Sequence, residues 1–169
     1  MDQKNDICDF SDTLNKKCKD FPPFLENQII YGRVISIYDG DTITVLVKID
    51  NNYCKWSVRL YELDTCEMKT KDEKLKDLAI KAKLLLYKLI TNIEEDLDDS
   101  KKMNHFLENN IIIVKLKTYG LDKYGRILAS VYKKDDDIEK HKSFSEIIIE
   151  NKLGYNYDGC TKKDMLSSQ

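Results

Sequence analysis

Three short segments of this chain carry residues suited to phosphodiester chemistry. They are Asp39-Gly40-Asp41-Thr42, then Arg59 followed by Leu63-Asp64-Thr65-Cys66-Glu67, then Asp122-Lys123-Tyr124-Gly125-Arg126. Asp41 and Asp64 offer hard oxygen ligands. With a backbone carbonyl and water they suit a hard divalent cation such as calcium, magnesium or manganese; calcium takes about six to eight oxygens in flexible geometry and magnesium a tighter octahedron. With no His or Cys cluster beside them, zinc is a poor match. Glu67 is a spare carboxylate able to take a proton from water. Arg59 and Arg126 are guanidinium forks that match the oxygens of a phosphate under attack. A general base contributes about 10²–10⁴-fold. Very inert bonds need accelerations of about 10¹⁵ or more. Cationic stabilisation of the developing charge must therefore supply most of the rest.

Each residue also has a plain structural reading. Asp39 and Asp41 fit a turn. Asp64 fits a helix cap, and the Asp64-x-x-Glu67 spacing fits a capping box. A lone arginine is by default a surface ion-pairing group.

These residues need strand ends and loops to hold them. Residues 30–38 are β-rich and end at the Asp39-Gly40 turn signal. Residues 42–49 alternate, with Ile43, Val45, Val47 and Ile49 on one face. A second turn is expected at Asp50-Asn51-Asn52, and residues 53–61 alternate again. In that strand Trp56, Val58 and Leu60 oppose Lys55, Ser57, Arg59 and Tyr61. Asp64 closes it. Trp56 reads as packing rather than as a base-stacking platform. A helix is expected over about 68–93, where Leu75, Leu78, Ala79, Ala82, Leu85, Leu86, Leu89 and Ile93 recur at helical spacing. An acidic loop and polar connector are expected from Glu94 to Asn110. Two more strands follow at 111–118 and 126–133, then a short helix at 143–151 that Gly154 can end in the left-handed conformation.

The fold class expected is α+β, mainly β. It is a five-stranded Greek-key barrel of the OB type, with a long helix after the third strand and a short C-terminal helix. Such barrels commonly bind nucleic acid through strands and loops. Residues 1–28 read as a polar extension, 29–158 as the domain, and 159–169 as a polar tail.

At 169 residues the chain can bury a real core without staples. Its formal net charge is −2, and the part after residue 28 balances 24 acids against 24 bases. Attraction to phosphate must then be local. Five cysteines without a C-x-x-C pair suggest free thiols, although a Cys54–Cys66 bridge is conceivable. His105 and His141 stand alone in polar stretches. There is no P-loop, signal peptide or membrane-length apolar run, so an intracellular protein is expected.

The three segments, in this order and spacing, resemble those of the thermonuclease (staphylococcal nuclease-like) family over about residues 31–157. The resemblance implies calcium-dependent endonucleolytic hydrolysis of DNA and RNA with little sequence preference, leaving 3′-phosphate ends. It implies metal ligation by Asp41, Asp64 and the Thr65 carbonyl, with Asp39 behind them. It implies Glu67 as general base and Arg59 and Arg126 as phosphate-binding arginines. Lys123 and Tyr124 match residues lining the terminal phosphate, and Tyr155 and Tyr157 match two pocket tyrosines. A monomer with DNA and RNA as partners follows. Cys66 stands where the family usually has Pro. The run from Tyr157 to Lys162 resembles tails of homologues from large DNA viruses, which leaves a viral origin open. The alternative is a non-catalytic nucleic-acid-binding or scaffold module of the same fold. A single-strand binder would instead show stacking aromatics on exposed strand faces and a basic groove, and the even charge balance disfavours it.

Overall fold

The computed structural model describes residues 25–49, 51–94 and 99–157. The expected tail at 159–169, residues 1–24 of the expected extension and residues 95–98 of the acidic loop lie outside the described residues. Five strands close a barrel: β1 (Glu26–Ile37), β2 (Thr42–Ile49), β3 (Asn52–Leu60), β5 (Ile112–Leu121) and β6 (Ile127–Lys133), in the order β1-β2-β3-β6-β5. All neighbours are antiparallel except β3 and β6, which pair in parallel through Arg59 and Leu128. Closure removes the exposed sheet edges. The expected OB-like α+β architecture is thus the one observed.

Alternation fills the barrel. Val34, Ile37, Ile43, Val45, Val58, Leu60, Val114, Leu116, Ile127, Ala129 and Val131 are all buried in one core. β1 starts at Glu26, three residues before the expected domain start, and Leu25 is already buried.

Helix α1 (Glu73–Thr91) lays Ala79, Ala82, Leu86, Tyr87 and Ile90 into the core. It starts later than expected because Asp72 caps it, accepting from the Lys74 and Leu75 amides at 2.8 and 3.1 Å. Asp64 and Glu67 lie upstream of that cap, so the helix-cap readings of both fail. Asp64 also does not close β3. It belongs to a separate two-residue strand, β4 (Leu63–Asp64), paired with β7 (Tyr155–Asn156).

The expected connector to Asn110 contains a helix, α2 (Ser100–Asn109). Asp99 caps it through the Lys101 amide at 2.8 Å. Met103 and Leu107 bury one face, and Phe106 meets Tyr87 edge-on at 6.2 Å. Arg33 donates to the carbonyls of Glu108 and Asn110 and so closes the helix's C-terminal end onto β1.

Helix α3 (Phe144–Glu150) begins with a Ser143–Glu146 capping box. Lys152 rather than Gly154 takes the left-handed conformation behind it. Gly154 has a different role: an added Cβ would lie 2.5 Å from Leu63 Cδ1 and 3.0 Å from the Asp64 carbonyl. The glycine lets β7 dock on β4. Among the described residues Cys54 and Cys66 are free thiols, so they form no bridge. No helix among them is long and apolar enough to cross a membrane.

Candidate active site

The two halves of the acid pair arrive by different routes. Asp41 ends the 38–41 turn, where the Tyr38 amide donates to the Thr42 carbonyl and the Leu60 amide to the Asp41 carbonyl. Gly40 is required there by close packing, since an added Cβ would sit 2.6 Å from Ala82 Cβ on α1. Asp64 is held by the β4–β7 pairing directly opposite Tyr155. Both aspartates are almost fully buried, as is Thr65.

Every oxygen of the two carboxylates has a partner. Asp41 accepts from Thr42 Oγ1 at 2.8 Å, from Thr65 Oγ1 at 3.0 Å and from the Thr65 amide at 3.1 Å. Asp64 Oδ2 accepts from the Tyr155 hydroxyl at 2.5 Å. Arg59 lies between the acids. It is paired with Asp41 Oδ1 through one terminal nitrogen, and its other terminal nitrogen is 2.7 Å from Asp64 Oδ1. That second nitrogen also donates to the Leu63 carbonyl at 2.8 Å. Burial opposes the Arg59 charge, but Asp41, Asp64 and Asp39 outweigh it, so the guanidinium is held charged more firmly than usual. Burial and the Asp64 carboxylate push the Tyr155 phenol up.

Asp39 is less well served. One of its oxygens accepts from the Asp41 amide at 3.3 Å. Burial first, then the Asp41 charge, push its carboxyl up to about 7. A carboxylate in that setting lacks positive charge.

A cleft of about 1200 Å³ opens over this cluster. Ten of the eleven sequence-predicted residues line it: Asp39, Asp41, Arg59, Asp64, Thr65, Glu67, Lys123, Tyr124, Arg126 and Tyr157. Tyr155 reaches the cluster from behind, through Asp64. The 122–126 loop forms one wall. Asp122 accepts from the Tyr124 and Arg126 amides and from Arg126 Nε at 2.6 Å. Burial works against that carboxylate, yet these donors pull its pKa below the usual value. Trp56 fastens the loop to β3 by donating its indole N–H to the Gly125 carbonyl at 3.0 Å. Exposed Tyr124 has Lys123 and Arg126 over its ring, 5.1 and 5.4 Å from the centroid.

One cleft residue escaped the sequence reading. Lys83 on α1 is 6% exposed and donates to the Tyr38 carbonyl at 3.0 Å. Burial lowers its pKa, against the pull of Asp39. The signal was present: Lys83 lies four residues after Ala79 and three before Leu86, inside the apolar stripe. A lysine there must direct its ammonium to a buried acceptor.

Among the described residues no three His, Cys, Asp or Glu side chains converge on one point. The acid pair nonetheless fits a hard cation. Asp41 and Asp64 are buried oxygen donors closing on one shared positive group, with Thr65 alongside and an under-neutralised Asp39 behind.

A search of the curated proteins finds no match to this chain. The family model described as "Staphylococcal nuclease homologue" matches residues 57–167, a span that includes Arg59, Asp64, Thr65, Glu67 and Arg126 and begins after the Asp39–Asp41 turn. With nearly two thirds of its length matched on this nuclease-like barrel, the chain belongs to the staphylococcal nuclease homologue family.

Proposed function

We infer that the protein is a metal-dependent endonuclease that hydrolyses DNA and RNA with little sequence preference. The observation that carries this reading is the convergence of Asp41, Asp64 and Arg59 at the floor of a cleft whose walls hold Glu67 and Arg126. Asp41, Asp64 and the Thr65 carbonyl would hold the ion, calcium being the best match to two carboxylates, a carbonyl and water. When bound, a divalent cation supplies positive charge beside the scissile phosphate.

The side chains then divide the work. Arg126, steadied by Asp122, and Arg59 grip the non-bridging phosphate oxygens as negative charge builds on them. Glu67 takes a proton from the attacking water. The water oxygen bonds to phosphorus, the bond to the 5′ oxygen breaks, and that oxygen leaves with a proton from solvent. The products carry a 3′-phosphate and a 5′-hydroxyl. Lys123, Tyr124 and Tyr157 border the space where the terminal phosphate and its nucleoside would lie. The unit of action is a monomer.

One observation favours a second reading, a binding module that does not cut. Arg59 already neutralises both aspartates. The test is incubation of the purified protein with single-stranded DNA, duplex DNA and RNA, in calcium or chelator, beside a Glu67→Gln variant. We expect cutting in calcium alone, with turnover lowered at least about a hundred-fold in the variant. Cutting that persists in chelator, or equal turnover by the variant, overturns the mechanism. Binding without cutting under any ion selects the module.

A further inference from the structure

The outer wall of the barrel carries a second charge pattern, running outward from the edge of the cleft. Outward positions alternate with the buried Gly32 and Val34, Val45 and Val47, and Val114 and Leu116. They hold Ile29, Tyr31 and Arg33 on β1, Leu46 and Lys48 on β2, Tyr53, Lys55 and Ser57 on β3, and Ile113, Lys115 and Lys117 on β5. The register keeps these residues abreast. Tyr31 lies opposite Lys115, Arg33 opposite Leu46, Leu46 opposite Lys55, and Lys48 opposite Tyr53.

No Asp or Glu occupies residues 29–33, 44–48, 53–57 or 113–117. In a chain with net charge −2, that segregation leaves a locally basic surface. Tyr31 is 52% and Tyr53 72% exposed, both unusually bare for aromatic strand residues. Lys115 donates to the Asp136 carbonyl and lies 6.0 Å from the Tyr31 ring centroid, which steadies that ring. Arg33 is committed to the end of α2. Lys48, Lys55 and Lys117 therefore supply the charge that can meet a partner.

Exposed rings interleaved with lysines match single-stranded nucleic acid. Its bases present open faces for stacking and its phosphates repeat along the chain. A duplex hides its base faces. The wall is also continuous with the cleft: Tyr53, Lys55, Ser57 and Arg59 follow one another on the same side of β3. Tyr53 is six residues from Arg59, about 20 Å along the strand, beyond the reach of a dinucleotide held in the cleft.

We propose that this β5-β1-β2-β3 wall is a docking track for single-stranded DNA or RNA, holding the part of a long strand that extends from the cleft. The proposal rests on the nucleic-acid reading of the cleft but not on its catalysis.

The test uses the full chain in chelator, with anisotropy of a labelled oligothymidylate of about twenty nucleotides. Two variants are compared with the parent: Lys48→Glu with Lys55→Glu and Lys117→Glu, and Tyr31→Ala with Tyr53→Ala. Thermal unfolding checks both, and a Lys→Gln set replaces the first if it melts early. We expect each variant to bind at least about ten-fold more weakly. Loss of three lysines should shrink the salt slope by about 2. In calcium, turnover of a dinucleotide should be unchanged while KM for the long strand rises.

Unchanged binding and slope in both variants overturn the proposal. So does equal affinity for duplex with no effect of the tyrosine changes. A protein that cuts nothing but loses strand binding in these variants ends the nuclease reading and leaves the track standing. One that cuts normally with binding unaltered does the reverse.

Discussion

Replacing Asp39 by Asn should stabilise the ion-free protein by an amount that grows as the pH rises from about 4 to about 7 and is constant above that. The folded chain holds this carboxyl at about 7 against an ordinary value of 3.8, because it is buried beside Asp41. Between those values the folded state binds a proton that the unfolded state has released. Stability from this group is therefore fully present below about pH 4 and is lost as the pH rises through about 7. At 1.36 kcal/mol per pH unit the interval corresponds to about 4 kcal/mol at most. The open cleft admits screening, so about 2 kcal/mol is expected. Asn keeps the carbonyl that accepts from the Asp41 amide. The variant should match the parent at pH 4 and exceed it by about 2 kcal/mol at pH 8. Urea unfolding in chelator at several pH values measures both curves. Parallel curves from pH 4 to pH 8 refute the reasoning. Added calcium, if held by Asp41 and Asp64 as proposed, should narrow the gap at pH 8 by bringing positive charge to the same cluster.

Lys83→Met should act on the same curve in the opposite sense. Without the ammonium, Asp39 holds its proton to higher pH, so urea unfolding should show the fall in stability extending further into alkaline solution. Gly154→Ala forces a methyl to within 2.5 Å of Leu63 Cδ1 and should lower the thermal midpoint by an amount equivalent to about 1–3 kcal/mol. Trp56→Phe removes the indole donor that holds the Gly125 carbonyl. Its cost in urea should stay near 1 kcal/mol, whereas turnover on DNA should drop several-fold as the Arg126 loop loosens.

Asp39, Asp41 and Arg59 were legible because each stands in a short segment whose turn or strand chemistry is local. Asp39-Gly40-Asp41 marks a turn, and the alternation of 53–61 sets Arg59 against the apolar face. The barrel strands were legible for the same reason. Helix α2 was not, because only Met103, Phe106 and Leu107 are apolar in ten residues, and its stability comes from packing on β1 and from Arg33. The β4–β7 pair was invisible, since two-residue strands have no periodicity and their partners are 91 residues apart. The start of α1 was misplaced because Met68 stands seven residues before Leu75, in helical phase with the stripe, although Asp72 caps the helix between them. Lys83 was hidden by a reading that collected only apolar residues from that stripe.

The charge balance of the cleft explains why Asp39 is the uneasy member. Three carboxylates, Asp39, Asp41 and Asp64, share two cations, the partly buried Arg59 and the buried Lys83. The cluster is short of one positive charge. Asp41 takes Arg59 and three further donors, and Asp64 takes Arg59 and the Tyr155 hydroxyl. Asp39 is left with one backbone amide and the more distant fields of Arg59 and Lys83. An isolated buried anion is expensive, so a proton settles on the least-served oxygen. A divalent ion, if held by Asp41 and Asp64 as proposed, would supply the missing positive charge. Arg59 draws on those same two carboxylates, so its hold on them is the part of the cluster most sensitive to added positive charge.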